Sequence, residues 1–293
     1  MSLTNRREFI QHSLAVGAAA ALPLNARPLN AAPAQVRRAS DVIELGPAKI
    51  KVSRLAMGTG TIGRGRSSNQ MRKLGAEGLA DLFREAFDNG VFFWDTADGY
   101  GSHDAIKVAL KKMPREKITI MTKADSRTAD EIKGDLERFR QEMGTDYIDI
   151  VLLHARRDPK WDELDKGLMD VLSEAKQKKI VRSVGISCHS VPAMQVALKS
   201  KWLEVFLTPI NCSGDRMDGP IDTVLSLLGQ MKAAGKGVLG MKILGEGALR
   251  DRVDEALRFT LTKDVVNAFT IGMESKAEFK DMIERIAKNS MPA

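Results

Sequence analysis

The chain has 293 residues, 43% hydrophobic and 28% charged, enough to bury the core of one large barrel or of two small domains. Its formal charge of +7 is interleaved with Asp and Glu and accompanied by no basic stripe or aromatic RNA motif, which excludes nucleic acid as the expected partner. Two cysteines, Cys188 and Cys212, make no disulfide scaffold and fit no zinc spacing, so no metal is expected.

Residues 1–34 read as a targeting segment. Arg6 and Arg7 precede Glu8, Phe9 and Ile10, an apolar run from Leu14 to Leu22 follows, and Ala32-Pro33-Ala34 offers an A-x-A cleavage pattern. The run is too short to span a bilayer, so no stable membrane anchor is expected. The pattern resembles a twin-arginine (Tat) export signal, with Asn5 where Ser or Thr is usual. It implies the Tat export machinery as a partner and the periplasm as the destination.

Residues 35–293 are expected to form one domain. Two alternating runs around Gly46-Pro47, within 41–52, predict a β-hairpin. Short apolar strands are then predicted at 54–60, 91–95, 118–123, 148–154, 181–187, 205–211, 237–242 and 267–271. Helical spacing separates them, as in Ala80-Phe83-Ala86-Phe87, Ile132-Leu136-Phe139-Met143 and Leu168-Val171-Leu172-Ala175, and a last helix is predicted over 275–287. Gly58, Gly60 and Gly63 match a dinucleotide-binding Gly-x-Gly-x-x-Gly in letters. No helix start follows directly, however, and no acidic ribose ligand stands about twenty residues on. Eight strand–helix units in one run predict an α/β fold, a (β/α)8 TIM barrel behind an N-terminal hairpin.

Active sites of such barrels lie at the C-terminal ends of the strands. Asp95, Lys123 and His154 end three consecutive predicted strands, and Tyr100 follows Asp95 in the next loop. Carbonyl reduction suits this set, because charge builds on oxygen as hydride reaches carbon and a proton must follow. A phenol titrates near 10, and a neighbouring ammonium favours the phenolate, so Lys123 is expected to lower Tyr100 while Asp95 holds Lys123. His154 is placed to orient the carbonyl or relay the proton.

These motifs resemble the aldo/keto reductase family over most of residues 41–290. The resemblance rests on Glu44-Leu-Gly-Pro…Lys51-Val-Ser-Arg-Leu, Asp95-Thr-Ala-Asp-Gly-Tyr-Gly, Thr122-Lys123, Gly144-Thr-Asp-Tyr-Ile-Asp-Ile-Val-Leu-Leu-His154 and Gly185-Ile-Ser-Cys-His189. It implies an Asp95, Tyr100, Lys123 and His154 catalytic tetrad, a small-molecule carbonyl substrate, and NADP as cofactor, with NAD the other candidate. It assigns cofactor binding to Gly58, Thr59, Ser187, Cys188, Asn211, Met241, Lys242, Gly245, Ser275 and Lys276. Three of the family's nicotinamide positions are altered: its Asn is Cys188, its Gln is Leu207, and its stacking aromatic is Met241. Ser275 and Lys276 fall where the family holds the adenosine 2′-phosphate, without the usual Arg. The alternative is a non-catalytic nucleotide sensor or partner protein on the same scaffold. A metal-dependent hydrolase is set aside, since few His and Asp ligands gather at strand ends.

Overall fold

A computed structural model describes residues 36–290, so the predicted export segment lies outside the described residues. The predicted hairpin forms from β1 (Val42–Leu45) and β2 (Ile50–Ser53), paired antiparallel around a turn closed by Lys49 N–H donating to the Gly46 carbonyl at 3.0 Å. The barrel strands follow as β3 (Leu55–Gly58), β4 (Phe93–Asp95), β5 (Thr119–Ala124) and β6 (Ile148–Arg156). They continue as β7 (Val181–Cys188), β8 (Val205–Pro209), β9 (Gly237–Met241) and β10 (Ala268–Gly272). All pair in parallel, and β10 closes back onto β3, so the chain is a closed (β/α)8 barrel. Each strand lies within two residues of the expected one.

Strand alternation builds two cores. Ala56, Phe93, Met121, Ile150, Leu152, Val205, Leu207, Leu239 and Ala268 fill the barrel, and Leu45, Ile50 and Val52 of the hairpin pack onto this set from the N-terminal end. The residues between them, such as Trp94, Ile120, Val151 and Ile186, face the helices. The principal helices are α1 (Asn69–Asp88), α2 (His103–Leu110), α3 (Ala129–Met143), α4 (Trp161–Leu164), α5 (Lys166–Gln177), α6 (Val191–Lys199), α7 (Ile221–Ala233), α8 (Val253–Lys263) and α9 (Lys276–Lys288). On α3 all four periodic residues, Ile132, Leu136, Phe139 and Met143, are buried. Thr128 and Glu131 form a capping box at its start, and Gly144, at φ +65°, ends it in the left-handed conformation that glycine adopts without strain. Among the described residues no helix is long and apolar enough to cross a membrane.

Candidate active site

At the C-terminal mouth, parity turns Asp95 of β4, Lys123 of β5 and His154 of β6 inward, two positions beyond the core residues Phe93, Met121 and Leu152. The Lys123 ammonium donates to Asp95 Oδ1, and to the Thr96 carbonyl at 2.8 Å. Both members of this ion pair are buried. Burial works against the charged amine, but the Asp95 carboxylate and Tyr100 outweigh it and hold Lys123 above its ordinary range. Tyr100 stands in a short 3-10 turn after β4, with Lys123 Nζ 4.8 Å from its ring centroid and the His154 ring edge-on at 5.8 Å. An acid, an amine, a phenol and an imidazole therefore meet at one end of three neighbouring strands.

The electrostatics differ from the expected direction at Tyr100. Burial pushes the phenol up, the Lys123 ammonium pulls it down, and Asp95 pushes it up again, so it rests above its ordinary value. Burial is the main reason the ammonium falls short, and Asp95 adds to it by offsetting part of the charge that was to stabilise a phenolate. The phenol thus keeps its proton. His154 Nδ1 is bonded to Asp125 Oδ1 at 2.8 Å, which fixes the ring and leaves its other nitrogen toward the mouth. Burial raises the Asp125 carboxyl, but His154, Arg156 and Lys123 together hold it below the usual range. β6 runs two residues past His154 through an irregularity at Ala155, whose φ is +55° and whose N–H donates to Ser187 Oγ at 2.7 Å.

A second charged cluster, not foreseen in the sequence, pins the tyrosine loop. Asp98 takes both amines of Arg138 at 2.8 Å each and Arg66 at 2.7 Å. Glu142 takes Arg66 at 2.7 Å and His103 Nδ1 at 2.8 Å, and the other His103 nitrogen meets Thr122 Oγ1, next to Lys123, at 2.9 Å. Burial opposes ionisation of Glu142, yet His103, Arg66 and Arg138 bring its carboxyl down to about 2. The only sequence signal is the buried face of α3, which carries Phe139 against the His103 ring at 4.9 Å.

Residues 54–290 match the aldo/keto reductase family. The chain belongs to that family. It is 29% identical over 166 residues to the NADH-specific methylglyoxal reductase of Escherichia coli K12, covering 49% of this chain and 50% of that protein. It is 29% identical over 129 residues to methylglyoxal reductase DkgB of Escherichia coli O157:H7, covering 43% and 48%. The chain thus spans about half the length of these curated relatives. Among solved structures, a candidate aldo-keto reductase of Pseudomonas aeruginosa superposes with a TM-score of 0.71 at 22% identity, over 86% of this chain and 97% of that one. The holo form of a Bacillus halodurans aldo-keto reductase gives 0.67 at 19%, over 87% and 92%.

In this aldo/keto reductase the residues assigned to the cofactor divide into those turned to the mouth and those already engaged. Ser187, Leu207 and Leu239 stand level on adjacent strands, so Ser187 has an apolar neighbour where an amide would serve. Ser187 Oγ accepts one bond and keeps its own proton to give. Met241 is half-buried two residues beyond Leu239 on the inward face. Gly58 pairs with Gly272 at the end of β3, and Thr270 Oγ1 takes the space a Cβ on Gly58 would fill, 2.7 Å from it. That hydroxyl is buried and has no partner among the described residues, as suits a mouth that receives a polar ligand. Ser187, Met241, Gly58 and Thr270 therefore fit a nicotinamide laid across the mouth.

The others are committed elsewhere. Thr59 Oγ1 bonds the Asp95 carbonyl at 3.0 Å and Ser102 Oγ at 2.7 Å. The Cys188 thiol, one residue past inward Ser187, faces the helices and donates to the Ser190 carbonyl at 3.4 Å. Burial pushes it up to about 12. Cys212 is likewise a free thiol, so no bridge joins the two. The Asn211 amide donates to the Asp215 and Lys242 carbonyls at 2.7 and 3.2 Å and accepts from the Gly214 N–H at 2.9 Å, which folds its own loop. Lys242 pairs with Glu246 at 2.8 Å, and Gly245, at φ +58°, turns the chain between them. Ser275 caps α9 by accepting from Glu278 N–H at 3.1 Å, and Lys276 pairs with Glu85 at 3.4 Å.

Proposed function

We propose that the chain reduces aldehydes or ketones to alcohols with a nicotinamide cofactor, Tyr100 giving the proton. The observation that carries this is the Asp95–Lys123 ion pair buried beside a phenol that keeps its proton. The reduced nicotinamide, when bound, supplies the hydride to the carbonyl carbon. Tyr100 hydrogen-bonds the carbonyl oxygen and passes its proton as charge builds there. The phenolate left behind lies against the Lys123 ammonium, and Asp95 keeps that amine charged and in place. His154, held by Asp125, orients the carbonyl. The complete tetrad speaks against a nucleotide sensor without chemistry.

Of the two cofactors, the charges at the start of α9 favour NADH over the NADP first expected. Lys276 and Lys280 both lean on Glu85, at 3.4 and 3.3 Å, and Lys73 pairs with Glu274. The Glu278 carboxylate accepts from Glu274 N–H at 2.8 Å, filling a helix terminus that would otherwise attract a phosphate. A 2′-phosphate brought to Ser275 would meet two carboxylates and no uncommitted lysine. The NADH-specific relative points the same way. The test is fluorescence titration with NADH and NADPH, followed by turnover with methylglyoxal. Tighter NADH binding and oxidation of bound NADH are expected; binding of neither nucleotide would refute the proposal.

The twin-arginine segment supports export of this reductase to the periplasm, with the Tat machinery as partner. Arg6→Lys combined with Arg7→Lys should retain the precursor in the cytoplasm, and unchanged export would refute this.

A further inference from the structure

The hairpin covers the N-terminal end of the barrel unevenly. Its turn rests on the starts of β8 and β9, where a Cβ on Gly46 would stand 2.9 Å from the Glu204 carbonyl oxygen and 3.3 Å from Gly237 N. On the other side Thr119 Oγ1 of β5 donates to the Lys51 carbonyl at 2.6 Å. β6 and β7 lie between these two supports in the strand order. Over their starts a cleft of about 520 Å³ remains, at the end of the barrel away from the catalytic mouth. That volume is typical of small-molecule sites.

The lining joins an apolar surface to hydrogen-bond donors. Ala48 and Ile50 of the hairpin and Val181 of β7 supply the first, and Tyr147, Lys176, Lys179 and Arg182 the second. Only part of the donor capacity is used. Arg182 Nη1 donates to Asp149 Oδ1 at 2.6 Å, and Arg115 Nη2 donates to Asp149 Oδ2 at 2.8 Å. Lys176 pairs with Glu204 and Lys178 with Glu174, whereas Lys179 meets no carboxylate among the described residues. Arg115 covers the Tyr147 ring at 4.0 Å, and the Tyr147 hydroxyl has no partner among the described residues. Four cations, Arg115, Lys176, Lys179 and Arg182, thus engage two carboxylates, Asp149 and Glu204, and two positive charges are left over. The end of α5 does not consume them. Its carbonyls at Glu174, Ala175 and Lys176 already accept from the N–H groups of Lys178, Ile180 and Lys179.

We infer that this cleft is a second binding site, separate from the active site, for a phosphate monoester with an apolar body. A monoester carries about two negative charges at neutral pH and three acceptor oxygens. It matches the surplus charge and offers an oxygen to each of Lys179, Arg182 and Tyr147, where a carboxylate brings one charge and two oxygens. The apolar body leaves water against Ala48, Ile50 and Val181. A soluble ester and phosphatidic acid both present this chemistry.

Calorimetry on the full chain compares phenylphosphate with inorganic phosphate and benzoate. Phenylphosphate should saturate one site with a Kd below about 1 mM, and the other two should bind at least about tenfold more weakly. Lys179 stands at φ +61°, in the left-handed position after α5 that glycine usually holds, so Lys179→Gly removes the cation without straining the fold. That variant should lose about tenfold in phenylphosphate affinity. Tyr147→Phe keeps the ring under Arg115 and should lose about threefold. A wild-type Kd above about 1 mM, equal binding of benzoate, or an affinity unchanged in Lys179→Gly would each overturn the inference. Cosedimentation with vesicles of phosphatidylcholine and phosphatidic acid, lost in Lys179→Gly, would assign the ester to a lipid. Phenylphosphate binding without cosedimentation would assign it to a soluble compound. Either result supports the site.

Discussion

A Cβ placed on Gly60 would stand 2.3 Å from Cε2 of Tyr100, so the phenol ring rests on bare backbone. A methyl group there must push either the turn or the ring aside. A displacement of about 1 Å at a reacting group costs on the order of a hundredfold in rate. Gly60→Ala should therefore lower kcat by about ten- to a hundredfold while the unfolding midpoint changes little. Wild-type kcat in that variant would mean that the ring does not need the close approach.

The Lys123–Asp95 pair is buried on both sides, with 1% and 6% of the side chains accessible. Removing one partner strands the other charge, which typically costs about 3–5 kcal/mol. Lys123→Met should destabilise by that amount in urea, and the double variant Asp95→Asn with Lys123→Met should recover part of it. Both should lose reductase activity. Equal stability of the single and double variants would show that the pair is not coupled.

Glu142 offers a test by pH. Its carboxyl titrates at about 2 in the folded protein, against an ordinary 4.5. A depressed carboxyl stabilises the fold above its ordinary value and loses that contribution as pH falls through the folded one. Glu142→Gln should cost about 2 kcal/mol at neutral pH, less than the full shift because solvent reaches and screens part of the cluster, and the gap to wild type should close between about pH 4.5 and 2. A gap that stays constant through acid would place the stabilisation elsewhere.

The two thiols should respond differently to alkylation. Cys188 faces the outer core, and its thiol is pushed up to about 12. Cys212 is half-buried, its thiol raised by burial and by Glu255. Iodoacetamide on the native chain should add one label, at Cys212, and Cys188 should react only after unfolding. Cofactor should not change this order, which mass spectrometry reads directly.

Much of the barrel is legible because buried parallel strands are short apolar runs. The expected strand at 118–123 and the observed Thr119–Ala124 differ by one residue, and the polar residues Asp95, Lys123 and His154 expected at three strand ends are turned to the mouth. Cys188 shows how one residue matters: with Ser187 inward, period two sends the next side chain out, and a strand read as ending at 187 hides this. Asn211 reads as a ligand by position, yet Asn-x-Ser-Gly-Asp is loop chemistry, and its amide is spent on that loop. The Asp98–Arg138 and His103–Glu142 contacts join residues about forty apart on different elements, where a single charge in the sequence looks solvated.

The proposed proton transfer from Tyr100 to the carbonyl oxygen can be timed directly. Single-turnover oxidation of bound NADH by methylglyoxal, followed by the loss of nicotinamide absorbance, compares wild type with Tyr100→Phe. Removal of the proton donor should slow the step by about a hundredfold or more, with NADH affinity nearly unchanged. A Tyr100→Phe rate equal to that of the wild type would rule out Tyr100 as the proton donor.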